Sequence, residues 1–105
     1  MTDANGNTAS GTGPLQKVTG FFLGVNNTAF GFNALFSNTT GTTNTASGAN
    51  ALASNTIGFN NTAVGHSALI DSTGNGNIAV GYLAGFTLTS GDDNIYLGNP
   101  GGGDE

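Results

Sequence analysis

The sequence predicts an all-β fold, a parallel β-solenoid wound in coils of 16–17 residues. The phrase Asn-Thr-Ala-x-Gly, or a close variant, begins at six asparagines spaced 20, 17, 17, 16 and 17 residues apart. A unit this short is too small for a helical pair or a propeller blade, but it fits one coil of a solenoid. Gly, Asn and Thr fill 49 of the 105 positions, and all three are poor helix formers, so a helical bundle is excluded.

Each coil is expected to hold two short strands separated by tight corners. The first strand runs through the repeated phrase, where residues alternate with the period of two that a β-strand requires. The second runs through an Ala-Leu pair seven and eight residues after the repeated asparagine. Gly and Asn at the corners tolerate left-handed backbone angles. The predicted first strands are residues 28–30, 45–47, 62–64, 78–80 and 95–97.

The two faces of the first strand carry different side chains. The first and third positions hold the bulkier residues, so we expect them inside the coil together with the leucine column. The small second position is then expected to face a close neighbour and to form an assembly contact. Its members are Ala29, Ala46, Ala63 and Ala79.

The repeated asparagines predict a structural ladder. Coils stacked as strands of a sheet place equivalent residues about 4.8 Å apart, which allows each amide to bond the next. The rungs of this ladder are Asn27, Asn44, Asn61, Asn77 and Asn94.

The chain divides into four segments. Residues 1–6 are expected to be frayed, residues 7–26 form a degenerate first coil, residues 27–98 form the regular β-roll, and residues 99–105 form a Gly-rich tail or linker. The first coil contains the most apolar run of the chain, Phe21, Phe22 and Leu23. Leaving these side chains in water is unfavourable. We expect them either to plug the N-terminal end of the roll or to make an assembly contact with a neighbouring chain.

Charge and composition exclude several functions. The net charge is −5 and Lys17 is the single base, so a groove for nucleic acid is not expected. No apolar run approaches the length of a membrane span, so we expect no membrane insertion. The chain has no cysteine, which excludes disulfides and thiol chemistry. A thin core without such cross-links favours a homo-oligomer.

Catalysis and cofactor binding are not expected. His66 is the one histidine, and its place in the repeat is taken by Phe, Ala, Tyr and Asn elsewhere, so we expect a solvent-facing residue at the end of a strand. The pair Asp92 and Asp93 supplies too few oxygens for a Ca²⁺ site and fits a solvated turn. The threonine columns lack the regular Thr-x-Thr array of ice-binding solenoids. The sequence therefore predicts a non-enzymatic chain without metal or cofactor.

Residues 27–41 and 61–69 resemble the head repeats of trimeric autotransporter adhesins. They are still more similar to the repeats of bacterial and phage tail-fibre-like proteins that end in an endosialidase-type chaperone. Residues 93–101 resemble the segment that often leaves the repeats in that second group. The resemblance implies a left-handed parallel β-roll, a trimer around one axis, and an extracellular location on a cell surface or virion.

The function implied by this resemblance is that of a structural or adhesive module that acts in assembly and surface attachment. A cell-surface glycan or a protein receptor is its expected partner, because adhesin heads of one fold bind different targets. One alternative is a subunit that polymerises end to end into an extracellular filament, since stacked coils expose strand edges. A second alternative is the repeat region of a fibre-borne enzyme whose catalysis lies elsewhere.

Overall fold

The chain winds into a parallel β-solenoid with one six-stranded sheet along its side, as seen in a computed structural model that describes residues 2–13 and 24–98. Each strand pairs in parallel with the next in the chain, and the five predicted first strands coincide with the last five of those observed. The described residues contain no helix, so none is long and apolar enough to cross a membrane. The strands are β1 Thr8–Ser10, β2 Thr28–Phe30, β3 Thr45–Ser47, β4 Thr62–Val64, β5 Ile78–Val80 and β6 Ile95–Leu97.

The Ala-Leu segment is not the second strand that the sequence predicted. It forms overlapping turns in which every second residue has a positive φ, for example 54° at Asn33 and 51° at Leu35. The Phe36 N–H donates to the Asn33 carbonyl within the coil at 3.2 Å, whereas the Leu35 N–H donates to Ala51 O in the next coil at 3.0 Å. Successive backbone N–H groups thus alternate between hydrogen bonds within the turn and hydrogen bonds to the next coil. The backbone is too tightly curved to form a strand.

The small position of the strand, and not the bulky ones, points into the coil. The prediction for the two faces is therefore wrong, whereas the buried leucine column is confirmed. The coil is narrow because the strand lies directly against the turn segment, and only a methyl group fits between it and the leucines. The fully buried apolar residues are Ala29, Ala34, Leu35, Ala46, Ala51, Leu52, Ala63, Ala68, Leu69, Ala79 and Ala84.

The last two coils have a large residue at an inward position that is otherwise alanine and a glycine at a position that is otherwise leucine. Tyr96 occupies the inward position of β6, where the other inward strand residues are alanines, and it pairs in register with Ala79. Gly85 stands where the earlier coils carry leucine, and a Cβ built there would lie 3.0 Å from the Tyr96 ring. The tyrosine ring therefore fills the space that a leucine side chain takes in the other coils.

Candidate functional site: a buried ladder and an outward sheet face

The repeated asparagines form a buried ladder along the solenoid. The Asn44 N–H and its side-chain Nδ2 both donate to Asn27 Oδ1, at 2.9 and 3.2 Å. The Asn61 N–H and Nδ2 donate in the same way to Asn44 Oδ1, at 2.9 and 3.0 Å. The ladder continues through Asn77 to Asn94. Each interior rung is inaccessible to water, so its amide depends on these partners.

Each rung also closes its own coil. The Asn44 Nδ2 donates to the Gly58 carbonyl at the end of the same coil, at 2.7 Å. A Cβ on Gly58 would lie only 2.3 Å from Asn55 Oδ1 and from the Gly74 carbonyl, so glycine is required by close approach of the stacked backbones. The asparagine side chain thus joins the start of a coil to its end and to the coil before it.

A second and shorter ladder runs along the turn side of the core. The Asn55 Nδ2 donates to Asn38 Oδ1 and to Gly58 O, both at 3.2 Å. The next coil has Ser72 at this position, and its side chain is shorter. Asn55 Oδ1 and Ser72 Oγ are buried with no hydrogen-bond partner among the described residues. The second ladder therefore stops at Ser72.

The first rung, Asn7, receives its contacts from an aspartate. The Asn7 N–H donates to Asp3 Oδ1 at 2.8 Å, and the Asn7 Nδ2 donates to Asp3 Oδ2 at 3.0 Å. The Asn5 N–H donates to Asp3 Oδ1 as well. The hydrogen bonds from Asn7 lower the pKa of Asp3 below its ordinary value. Residues 2–6, expected from the sequence to be frayed, are organised around this carboxylate.

The outward face of the sheet is uncharged and carries several exposed apolar side chains. It is formed by the first and third residue of each strand, and it becomes more apolar toward the C-terminal coils, where Ile95 and Leu97 are 68% and 74% exposed. We call these twelve residues the outward face. Its members are Thr8, Ser10, Thr28, Phe30, Thr45, Ser47, Thr62, Val64, Ile78, Val80, Ile95 and Leu97.

The ionisable groups are scattered over the described residues. His66 is exposed just beyond β4, and its ring lies 5.6 Å from the ring of Tyr82, centroid to centroid. Asp92 and Asp93 are exposed, and Asp92 Oδ1 accepts a hydrogen bond from the Asn75 N–H at 2.7 Å. Residues 2–13 and 24–98 contain no group of three or more His, Cys, Asp or Glu side chains that could hold a metal ion.

The residues predicted as assembly contacts do not form one surface. The alanines Ala29, Ala46, Ala63 and Ala79 pack inside their own coil and are not accessible to another chain. The apolar run of Phe21, Phe22 and Leu23 lies outside the described residues. Sequence reasoning also missed Asp3, although its position four residues before Asn7 is within the reach of a turn.

No protein-family model matches the chain, and no significant match appears among curated proteins or solved structures.

Proposed function

We propose that this chain is a non-catalytic structural or adhesive β-roll module, which associates laterally through its outward face. The observation that carries the proposal is the outward face itself, which has no charged residue although the chain has a net charge of −5. Charges elsewhere keep the chain soluble, while an uncharged face lets equally charged copies approach each other. The resemblance of its repeats supports a trimer with a left-handed roll, displayed outside the cell on a surface or a virion.

The thin interior supports lateral association. The buried apolar core consists of alanines and three leucines, whereas other apolar side chains, among them Phe30, Val64 and Val80, lie on the outside. These three side chains are 39–45% exposed, so full burial would add about 0.6–1.3 kcal/mol for each. Association therefore adds apolar burial to the small amount that the coils supply. A rod made this way presents repeated copies of its free surfaces, which suits multivalent attachment to a glycan or protein receptor.

The test is the oligomeric state of two matched variants, measured by sedimentation velocity and light scattering. Val80→Glu places a charge on the outward face, and Ile57→Glu places the same charge on an exposed residue outside the sheet. We expect a trimer for the unmodified chain and for Ile57→Glu, and smaller species for Val80→Glu. A monomeric unmodified chain at micromolar concentration, or equal assembly of both variants, contradicts lateral association through this face.

A second candidate is a filament subunit that stacks end to end. One observation favours it: the strands keep the same parallel register from coil to coil, so a coil from another copy could continue the sheet and the ladder. Electron microscopy separates the candidates, because lateral association gives particles of fixed length and stacking gives rods of many lengths.

A further inference from the structure

The contacts between neighbouring rungs follow one pattern inside the solenoid. Each coil gives the next rung an Oδ1 acceptor for its N–H, and in most coils that oxygen also accepts from the side-chain Nδ2. The coil also gives an N–H donor for the rung's carbonyl. Thus Asn27 Oδ1 accepts both donors of Asn44, and the Thr28 N–H donates to Asn44 O at 2.8 Å. At an N-terminal end without a cap, the backbone N–H, the side-chain Nδ2 and the carbonyl oxygen of the first rung would lack these partners.

Asp3 supplies all three contacts to the first rung, Asn7. Its two carboxylate oxygens accept from the Asn7 N–H and Nδ2, at 2.8 and 3.0 Å, and its own N–H donates to Asn7 O at 2.9 Å. One residue from the same chain therefore takes the place of both the asparagine and the threonine of a preceding coil.

The neighbouring residues complete this replacement. The Gly6 N–H donates to Asp3 O at 3.1 Å, in the place where the Asn26 N–H of the next coil donates to Asn5 O of the coil before it at 3.0 Å. The chain then reverses, and Thr2 pairs with Thr8 in an antiparallel bridge, whereas all the strands pair in parallel. Residues 2–6 thus cover the ladder end and the first residue of β1, and we call them the N-terminal cap.

The carboxylate suits this end of the ladder better than another amide would. Every rung donates its backbone N–H toward the preceding coil, and all but Asn77 donate Nδ2 there as well, so the N-terminal end presents N–H groups with partial positive charge. An anion is stabilised there for the reason that it is stabilised at a helix N-terminus. A second copy that stacked on this end would offer the neutral Oδ1 of Asn94 instead. It would also bring Asp92 and Asp93, which repel Asp3.

We propose that the N-terminal cap closes this end of the solenoid against stacking by a second copy of the chain, and that Asp3 is the residue that closes it. The register of the coils permits continuous stacking, and the cap occupies the hydrogen-bonding groups that such stacking requires. The cap therefore argues against the end-to-end filament considered as the second candidate function, and it leaves lateral association, whatever number of copies takes part. This inference does not depend on the proposed trimer, because lateral association leaves the length of the rod unchanged and the experiment measures that length.

The experiment compares Asp3→Ala with Asp71→Ala, which removes the same charge from an exposed position far from both ends of the ladder. Rod length is measured by negative-stain electron microscopy and by sedimentation at several concentrations. A stack of six coils is about 29 Å long, so each added copy lengthens the rod by about that amount. We expect one length for the unmodified chain and for Asp71→Ala, and a series of lengths for Asp3→Ala. Adding Asn94→Ala to Asp3→Ala is expected to restore the single length.

Amide hydrogen exchange tests the cap directly. In the unmodified chain, the Asn5 and Asn7 amides are expected to exchange slowly. In the unstacked double variant Asp3→Ala, Asn94→Ala, both amides are expected to be released while Asn44 stays protected. If Asp3→Ala does not fold, Asp3→Asn replaces it, with Asp71→Asn as its control. It keeps one acceptor oxygen and is expected to stack partially. Fast exchange of Asn7 in the unmodified chain overturns the proposal. Rods of one length from folded Asp3→Ala, in which Asn94 is intact, overturn it as well.

Discussion

The change Asn44→Ala tests whether the buried ladder holds the solenoid together. Asn44 makes four side-chain hydrogen bonds: Oδ1 accepts two from Asn61, and Nδ2 donates to Asn27 Oδ1 and Gly58 O. Its loss leaves the Asn61 N–H without an acceptor. The other three groups each keep one partner. Asn27 Oδ1 still accepts from the residue 44 N–H, Gly58 O still accepts from the Asn55 Nδ2, and the Asn61 Nδ2 still donates to Gly74 O.

These losses set the magnitude. One orphaned buried N–H costs about 1–3 kcal/mol, and each of the three remaining bonds is worth about 0.5–1.5 kcal/mol. We therefore expect Asn44→Ala to lower the free energy of unfolding by about 2.5–7.5 kcal/mol, a large part of the total stability of a small domain. The neighbouring exposed Thr45 is the control, and Thr45→Ala is expected to cost less than about 1 kcal/mol.

The assay is urea unfolding followed by far-ultraviolet circular dichroism, at equal chain concentration because association contributes to stability. Asn44→Asp adds a pH readout. Its carboxylate oxygen would face Asn27 Oδ1 and Gly58 O, and both this repulsion and burial raise the pKa of that carboxyl. The stability of the variant is therefore expected to fall as the pH rises above about 4. Equal stabilities of Asn44→Ala and Thr45→Ala would refute the structural role of the ladder.

Three further outcomes are expected. Thr43→Asn should increase the free energy of unfolding by about 1 kcal/mol and so raise the midpoint temperature of thermal unfolding. The reason is that φ is 54° at Thr43, and asparagine tolerates that angle better than a β-branched residue. Gly85→Leu should cost about 1–3 kcal/mol in urea unfolding by overpacking the ring of Tyr96, and adding Tyr96→Ala should recover most of the loss, which a double-mutant cycle measures. Acid should loosen the N-terminal cap: the pKa of Asp3 is lowered by folding, so its contribution is complete above about pH 4 and disappears as the pH falls further. The readout is the protection factor of the Asn7 amide, which compares its exchange rate with that of an unstructured amide at the same pH and should fall.

The period and the strands were predictable because they depend on local patterns. Alternation and glycine corners place a strand at residues 62–64 in the sequence, and β4 has those bounds. The inward face was not predictable from bulk alone. A better signal was variation among the repeats: the inward position is alanine in β2 to β5, whereas the outward third position is Phe, Ser, Val and Val. A narrow interior accepts side chains of one size, whereas an exposed face accepts side chains of many sizes.

The turn segment could not be predicted from its residues. Leucine rarely adopts a positive φ, because its Cβ then crowds the following carbonyl. Leu35, Leu52 and Leu69 adopt it here at 50–51°. Burial of the side chain and hydrogen bonds to the next coil offset that cost, and both exist only after the coils have stacked. The Asp3 contacts depend in the same way on the position of Asn7 in the finished ladder.

Because the contacts connect only neighbouring coils, the stability of the solenoid can be divided into contributions from pairs of coils. In the ladder each rung bonds only the rungs of the adjacent coils, so the stability of the stack is close to a sum over neighbouring pairs, as in a one-dimensional chain of coupled units. Duplicating one 17-residue repeat in the middle would add one strand spacing, about 4.8 Å, and one more interface term. Length and stability would grow together in equal steps, so gene duplication could lengthen such a rod without redesigning the rest.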